Sequence, residues 1–299
     1  MANNMMFQPY KIDPATLQKM HDKMLGMLLY FEEFCAEHGL MFYLCGGGAI
    51  GAIREKGFVP WDDDIDCFMP RPDYEKLPEL WEKYGDKERF AFCRTDETVN
   101  YHHPDSTLRD RNTTFICTYT QHQDICHGLC FDIIPIDGCP TSKFKRYVQL
   151  FYAFVFALFN TQRLPNNKGK LFRTGAKIAY ALIPSKKLRY KLWKHAEKQM
   201  TKYHWEDCDY VTELIGSIKG MLLVHPKEWF DSQVWVDFEG HKAPLMAGYH
   251  QYLTLIFGNY MQRPPVEQQV AKHELAFVDM DRPYTDYKGV KYFPQEDHK

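Results

Sequence analysis

Residues 43–70, YLCGGGAIGAIREKGFVPWDDDIDCFMP, set three consecutive glycines ahead of four aspartates within 28 positions. Alternate residues of a strand point to one side, so on IDCFM Asp64 and Asp66 share a face while Ile65 turns inward. Carboxylates about 7 Å apart along one face repel each other unless a cation lies between them or water screens both. Carboxylate oxygen is the ligand that Mg²⁺ (or Mn²⁺) takes, usually together with substrate phosphates. Just upstream, strand–Gly46–Gly47–Gly48–helix offers backbone N–H groups and a helix N-terminus, a cradle for phosphate. In FDIIPIDG, Asp132 alternates with Phe131 and Ile133 and supplies a third strand-borne acid. Together these parts suit metal-assisted phosphoryl transfer. The rival reading is a solvated acidic turn behind a tight bend, because a lone DxD also occurs in ordinary turns and in sugar transferases.

The elements that must position these residues are legible from pattern. Asp13-Pro14 caps a helix whose apolar positions, Leu17, Met20, Met24, Leu28, Phe31 and Phe34, recur every three or four residues until Gly39. MFYLC (41–45) is a strand running into the glycines, and residues 49–55 form a short helix. IDCFM (65–69) is a second strand, and Arg71-Pro72 opens another helix. LCFDIIPI (129–136) is a third strand, stopped at Pro135. Helices dominate from Lys143 to about Tyr203, broken by the loop LPNNKG at 164–169. Residues 213–274 mix strands such as VWVDF with a helix near 249–257. The fold class is α/β of the α+β kind: a mixed-sheet core over roughly residues 1–140, a helical and mixed continuation over 141–278, and an irregular tail over 279–299.

Charge is unevenly spread. Between Asp137 and Glu197 no acid occurs, while 13 of the 37 Lys and Arg residues do, leaving 24 basic against 39 acidic residues elsewhere. A basic, apolar stretch in an otherwise acidic chain suits peripheral contact with the inner leaflet of a membrane. The longest apolar run, YVQLFYAFVFALF, is too short to span a bilayer. No groove-reading or single-strand motif points to nucleic acid. Nine scattered cysteines and a start, MANNMMFQPYKID, without the features of a secretory signal favour the cytoplasm. In HQDICHGLC, His122, Asp124, Cys126, His127 and Cys130 invite a zinc reading, but a second ligand pair of zinc spacing is missing and ordinary loop and strand roles are favoured.

Residues 43–76 resemble the LicD family in the glycine turn, the GA-x-R step, G-F-x-P-W-D-D-D-I-D and M-P-R-x-D-Y. FDIIPIDG (131–138), LRDRNT (108–113), FEGHKAP (238–244), YLTLIFGNYMQRPP (252–265) and His273 extend the likeness over most of residues 14–275. The resemblance implies a nucleotidyltransferase-like fold for the core. It implies cytoplasmic transfer of phosphocholine or a related phospho-alcohol from a CDP-linked donor, such as CDP-choline, to a cell-surface glycan. That acceptor would be a teichoic acid, lipopolysaccharide or capsule precursor, lipid-linked or free. Carried over, Asp64 and Asp66 hold the metal and Asp132 is the third carboxylate, base or ligand. Gly46, Gly47, Gly48, Arg54, Arg71, Arg109 and His273 surround the donor phosphates. The chain departs from the family at Gly48, where a hydroxyl residue is frequent, at Thr107, where a basic residue is expected, and at Asn259, where an acid is common. Two other functions compete: a nucleotidyltransferase moving NMP from an NTP, which fits the same acids and glycines, and a non-catalytic glycan- or membrane-associated binding protein, against which the intact Asp64, Asp66 and Asp132 argue.

Overall fold

Asp13 accepts hydrogen bonds from the N–H groups of Ala15 and Thr16, both at 3.0 Å, and Pro14 fills the first position of helix α1 (Pro14–Glu37). The structure, a computed structural model, describes residues 10–162, 169–216 and 218–293. The start of the N-terminal segment and the loop expected at 164–169 lie outside the described residues, except that Gly169 opens a helix.

After α1 come β1 (Tyr43–Leu44), α2 (Gly46–Arg54), β2 (Asp66–Pro70), α3 (Arg71–Tyr84), β3 (Phe90–Arg94), β4 (Ser106–Asp110), β5 (Thr114–Cys117) and the long β6 (Leu129–Cys139). Three helices follow, α4 (Lys143–Thr161), α5 (Gly169–Leu182) and α6 (Lys186–Met200). Next are β7 (Tyr210–Thr212), the short α7 (Ile218–Leu222), β8 (His225–Pro226), the hairpin β9 (Gln233–Phe238) and β10 (His241–Met246), α8 (Tyr249–Phe257) and β11 (Leu275–Asp279).

The main sheet runs β1-β2-β6-β4-β3, with β7 added to the far end of β6 and β8 to β7. It is mixed: β2 and β6 are parallel, and the other pairs are antiparallel. The expected stop at Pro135 is corrected, because β6 passes through it to Cys139. The Asp132 N–H donates to Ile65 on the β2 side, so alternation turns position 135 to the opposite flank. There β4 has already ended its pairing at Ile133, and the missing proline donor leaves no ladder bond unmade.

Helix α1 covers one face of the sheet. Phe31 packs edge-on against Phe42 and Phe131, each at 5.1 Å between ring centroids. With Phe131 and Ile133 turned toward α1, Asp132 must face the other way. The same core takes in β9, β10, α8 and β11 through Phe238, Leu245, Leu253 and Leu275. A second core lies between α4 and α6, where Phe156 meets Trp193 and is joined by Ala153, Ala196 and Met200.

The glycines open α2 rather than precede it, so the helix starts three residues earlier than its apolar pattern suggests. Beyond it, the β9–β10 turn at Glu239-Gly240 has both φ angles positive, as a two-residue hairpin requires. Glu239 accepts from the Phe58 N–H at 3.0 Å and so fixes the loop that leads to the aspartates. A side chain at Gly57 would collide with that carboxylate, which explains the glycine there.

Among its described residues the tail has one short 3₁₀ turn, Tyr284–Tyr287, and it is packed. Tyr292 is buried against His127, and Phe293 N–H bonds to the Gln121 carbonyl.

Candidate active site

Asp66 and Asp132 are register partners on the parallel strands β2 and β6, which places them side by side. Asp64 lies in the irregular approach to β2, two residues before the strand begins at Asp66, so strand alternation does not pair the two as expected. Its charge is nevertheless felt strongly at Asp66. Thr107 of β4 stands opposite Asp132, and Asp105, two residues earlier, follows it on that face. Asp105, His103 and Asp132 bring one ligand atom each within 4.8 Å of one another.

Asp105 and His103 are functional candidates that the sequence reading missed. The signal was present in His102-His103-Pro104-Asp105, just ahead of the LRD strand. Counting back along β4 from the residue opposite Asp132 would have found them. His103 also hydrogen-bonds the Tyr119 hydroxyl through Nε2. The loop holding them hangs from the end of α4, where Asn100 Nδ2 donates to the Asn160 carbonyl at 2.8 Å and His102 Nδ1 bonds to the Thr161 carbonyl at 2.7 Å.

Asp62 bends back over the glycine turn. A Cβ at Gly47 would lie 1.8 Å from Asp62 Oδ2, so no side chain fits between this carboxylate and the start of α2. Gly46 has φ of 51° and lies beneath Asp66 Oδ2. No side chain caps α2, which leaves its N-terminal donors free of a side-chain acceptor.

Asp63 plays a different part from its neighbours. It is fully buried and accepts from the backbone N–H groups of Lys272 and His273, each at 3.2 Å. His273 Nδ1 lies 3.3 Å from Asp63 and 3.9 Å from Asp64. The C-terminal segment is thereby fastened to the DDDID loop. Burial works against the His273 charge, but Asp63, then Asp64 and Asp132, outweigh it and raise its pKa to about 9. This contribution to stability is complete below the ordinary imidazole value of 6.5 and is lost as pH rises through about 9. Asp63→Ala is expected to cost roughly 2–4 kcal/mol in urea unfolding, since two backbone donors lose a buried acceptor and the His273 imidazole loses its charge partner. A change within about 0.5 kcal/mol would remove Asp63 from this role.

The remaining acids crowd one another. Burial and then Asp64 hold Asp62 up to about 7, and burial likewise raises Asp64. Asp66 is held well above the ordinary carboxylate range by burial, Asp64, Asp132 and Asp105. Asp132 is raised by burial and by Asp105. Its Oδ1 and that of Asp105 are buried without a hydrogen-bond partner among the described residues. A convergent, oxygen-rich and charge-unbalanced group with orphaned carboxylate oxygens fits a divalent cation of the Mg²⁺ or Mn²⁺ type. His103, Asp105 and Asp132 bring their ligand atoms close enough to hold it, with Asp66 beside Asp132 on the neighbouring strand, while Asp64 groups with Asp63 and His273.

Among the described residues none of the three expected arginines hydrogen-bonds an acid of this cluster. Arg71 is spent on Asp137, with Nε and Nη2 donating at 2.7 and 2.8 Å, and on Glu75 at 3.0 Å. Arg54 binds Glu55 and the Tyr260 carbonyl and stacks over Trp61. Arg109, two residues along β4 from Thr107, is buried, and its Nη1 donates to the Gly128 carbonyl. Its charge still lowers the carboxyl of Asp132 somewhat, against the effect of burial.

The mixed sheet thus carries paired acids beside a glycine-led helix. Residues 39–165 match the LicD family, described as LicD/FKTN/FKRP, nucleotidyltransferase domain. That segment includes every acid of the cluster and ends just beyond α4, whereas His273 lies outside it. Over 267 residues the chain is 28% identical to the lipopolysaccharide cholinephosphotransferase LicD of Haemophilus influenzae, covering 86% of this chain and 96% of that protein. The matched segment 39–165 contains both PWDDDID and FDIIPIDG.

Proposed function

We propose that this protein is a transferase that moves phosphocholine, or a related phospho-alcohol, from a CDP-linked donor to a hydroxyl of a cell-surface glycan. The observation that carries the proposal is the side-by-side placement of Asp66 and Asp132 next to a glycine-led helix. The name of the Haemophilus relative supplies the choline phosphate and the lipopolysaccharide, a lipid-bearing glycan. We place the reaction at the cytoplasmic side of the membrane. Among the described residues no helix is long and apolar enough to cross it.

In this reading an acceptor hydroxyl attacks the phosphorus that bears the alcohol. A new P–O bond forms, the bond to the CMP oxygen breaks, and CMP leaves with that electron pair. A bound Mg²⁺ or Mn²⁺ would offset charge on the pyrophosphate oxygens. Gly46 and Gly47 receive the donor phosphates at the uncapped start of α2. Asp66 and Asp64 hold the cation, and Asp63 keeps His273 beside them. Asp132, whose Oδ1 lacks a hydrogen bond, either completes that set or takes the hydroxyl proton.

The test is incubation with CDP-choline, CDP-ethanolamine and CDP-ribitol in parallel with the four NTPs, each with Mg²⁺ and a lipopolysaccharide acceptor. CMP release with label reaching the glycan is the expected result. Pyrophosphate release from an NTP, with no CMP from any CDP-alcohol, would replace the proposal with nucleotidyl transfer.

A further inference from the structure

We propose that the solvent face of α4, with α5 beside it, docks on an anionic lipid surface. This inference stands on the surface alone and does not depend on the transfer reaction. On α4, Phe144, Tyr147, Phe151 and Phe154 are 76%, 69%, 61% and 40% exposed. Their spacing of three, four and three residues places them within an arc of about 80° at 100° per residue. The opposite side of the same helix is buried through Arg146, Gln149, Ala153, Phe156 and Phe159. Fold stability therefore accounts for one face of α4 and leaves an aromatic stripe on the other. Four large aromatics aligned along one solvent face mark an interaction surface rather than scattered apolar exposure.

Helix α5 is held against α4 by the Tyr180 hydroxyl, which donates to the Leu158 carbonyl at 2.8 Å. It adds Ile178 and Leu182, 55% and 76% exposed. Lys143 flanks the stripe on α4, and Arg173 and Lys177 on α5 and Lys186 and Lys187 at the start of α6 are likewise exposed. None of the five takes part in an ion pair among the described residues, and no acid occurs from 138 to 196 to supply one.

The charge pattern selects the occupant. A second copy of the chain meeting this face by two-fold symmetry would set basic residues against basic residues. Anionic headgroups instead neutralise the lysines while the aromatic rings enter the headgroup–acyl boundary. No span is required, since the helix lies in the plane of the interface.

Vesicle co-sedimentation of the full chain at low salt tests this. The intact protein is expected to pellet with phosphatidylglycerol vesicles and roughly tenfold less with phosphatidylcholine vesicles. The variant Phe144→Ser, Tyr147→Ser, Phe151→Ser should bind phosphatidylglycerol at least about tenfold more weakly. Lys143→Gln with Lys177→Gln should lose only the preference for the anionic vesicles, and that pair decides the question if the triple variant melts early. Equal binding to both vesicle types, or no binding to phosphatidylglycerol, overturns the proposal. So does a dimer in light scattering that the triple variant converts to monomer without any change in vesicle binding.

Discussion

Asp66→Asn is expected to lower transfer by roughly 10²–10³-fold or more while raising the melting temperature of the protein freed of divalent ions. Both effects have one cause. Asp66 and Asp132 are held side by side by strand register, and Asp62, Asp64 and Asp105 add their charge to the same small volume. Where a cation sits among them the charge is useful; without one it is a cost to the fold. Removing one charge should stabilise the stripped protein by roughly 2–4 °C, the usual shift for about 1 kcal/mol at this chain length.

The sign with pH follows from the raised carboxyls. The unfolded chain releases these protons near the ordinary value of 3.8, while the native cluster retains them to higher pH, at Asp62 to about 7. Stability in EDTA should therefore fall as pH rises from about 4 to 7, and added Mg²⁺ should flatten the decline. His273 loses its contribution only higher, toward pH 9, and the two effects separate along the pH axis. Thermal melts of wild type and Asp66→Asn across this range give the answer. Equal melting curves in EDTA would show that the acids are not in conflict, and equal activity would remove Asp66 from the chemistry.

Arg71→Met should destabilise the fold by about 3–5 kcal/mol and leave the KM for the donor unchanged. Burial disfavours the Arg71 charge, but Asp137, Tyr74 and Glu75 more than compensate, so the guanidinium stays charged inside the protein. It grips Asp137 with two nearly parallel bonds from the first turn of α3 to the far half of β6. Truncating it leaves the Asp137 carboxylate buried without its partner. The double change Arg71→Met, Asp137→Leu should recover most of the loss, because replacing both members of a buried pair by apolar groups of similar volume is often close to neutral. Chemical denaturation of the three variants measures this. A donor KM raised severalfold in Arg71→Met at full stability would instead return Arg71 to the phosphate site.

What the sequence revealed was local. Alternation in IDCFM and FDIIPI put Asp66 and Asp132 on one side of their strands, and no long-range knowledge was needed for that. The glycines read as a phosphate turn because their spacing to the next helix was short. What it concealed depended on neighbours distant in the chain. Nothing near Asp63 announces that residues 272 and 273 will bind it. His103 and Asp105 join the acids only because β4 lies against β6, and Arg71 is drawn away by Asp137, 66 positions later. Pro135 misled for a related reason: a proline ends a strand with neighbours on both flanks, and here one flank is already bare.

The two hydrogen bonds from Asn100 and His102 to the last carbonyls of α4 tie the site's histidine and acid to that helix end. In terms of local unfolding, the loop cannot keep its shape once that last helical turn frays. Residues 95–105 and the end of α4 should therefore open together, as one cooperative unit in amide hydrogen exchange. Whatever steadies α4, at its buried face or its outer one, also steadies the arm that reaches into the reaction centre.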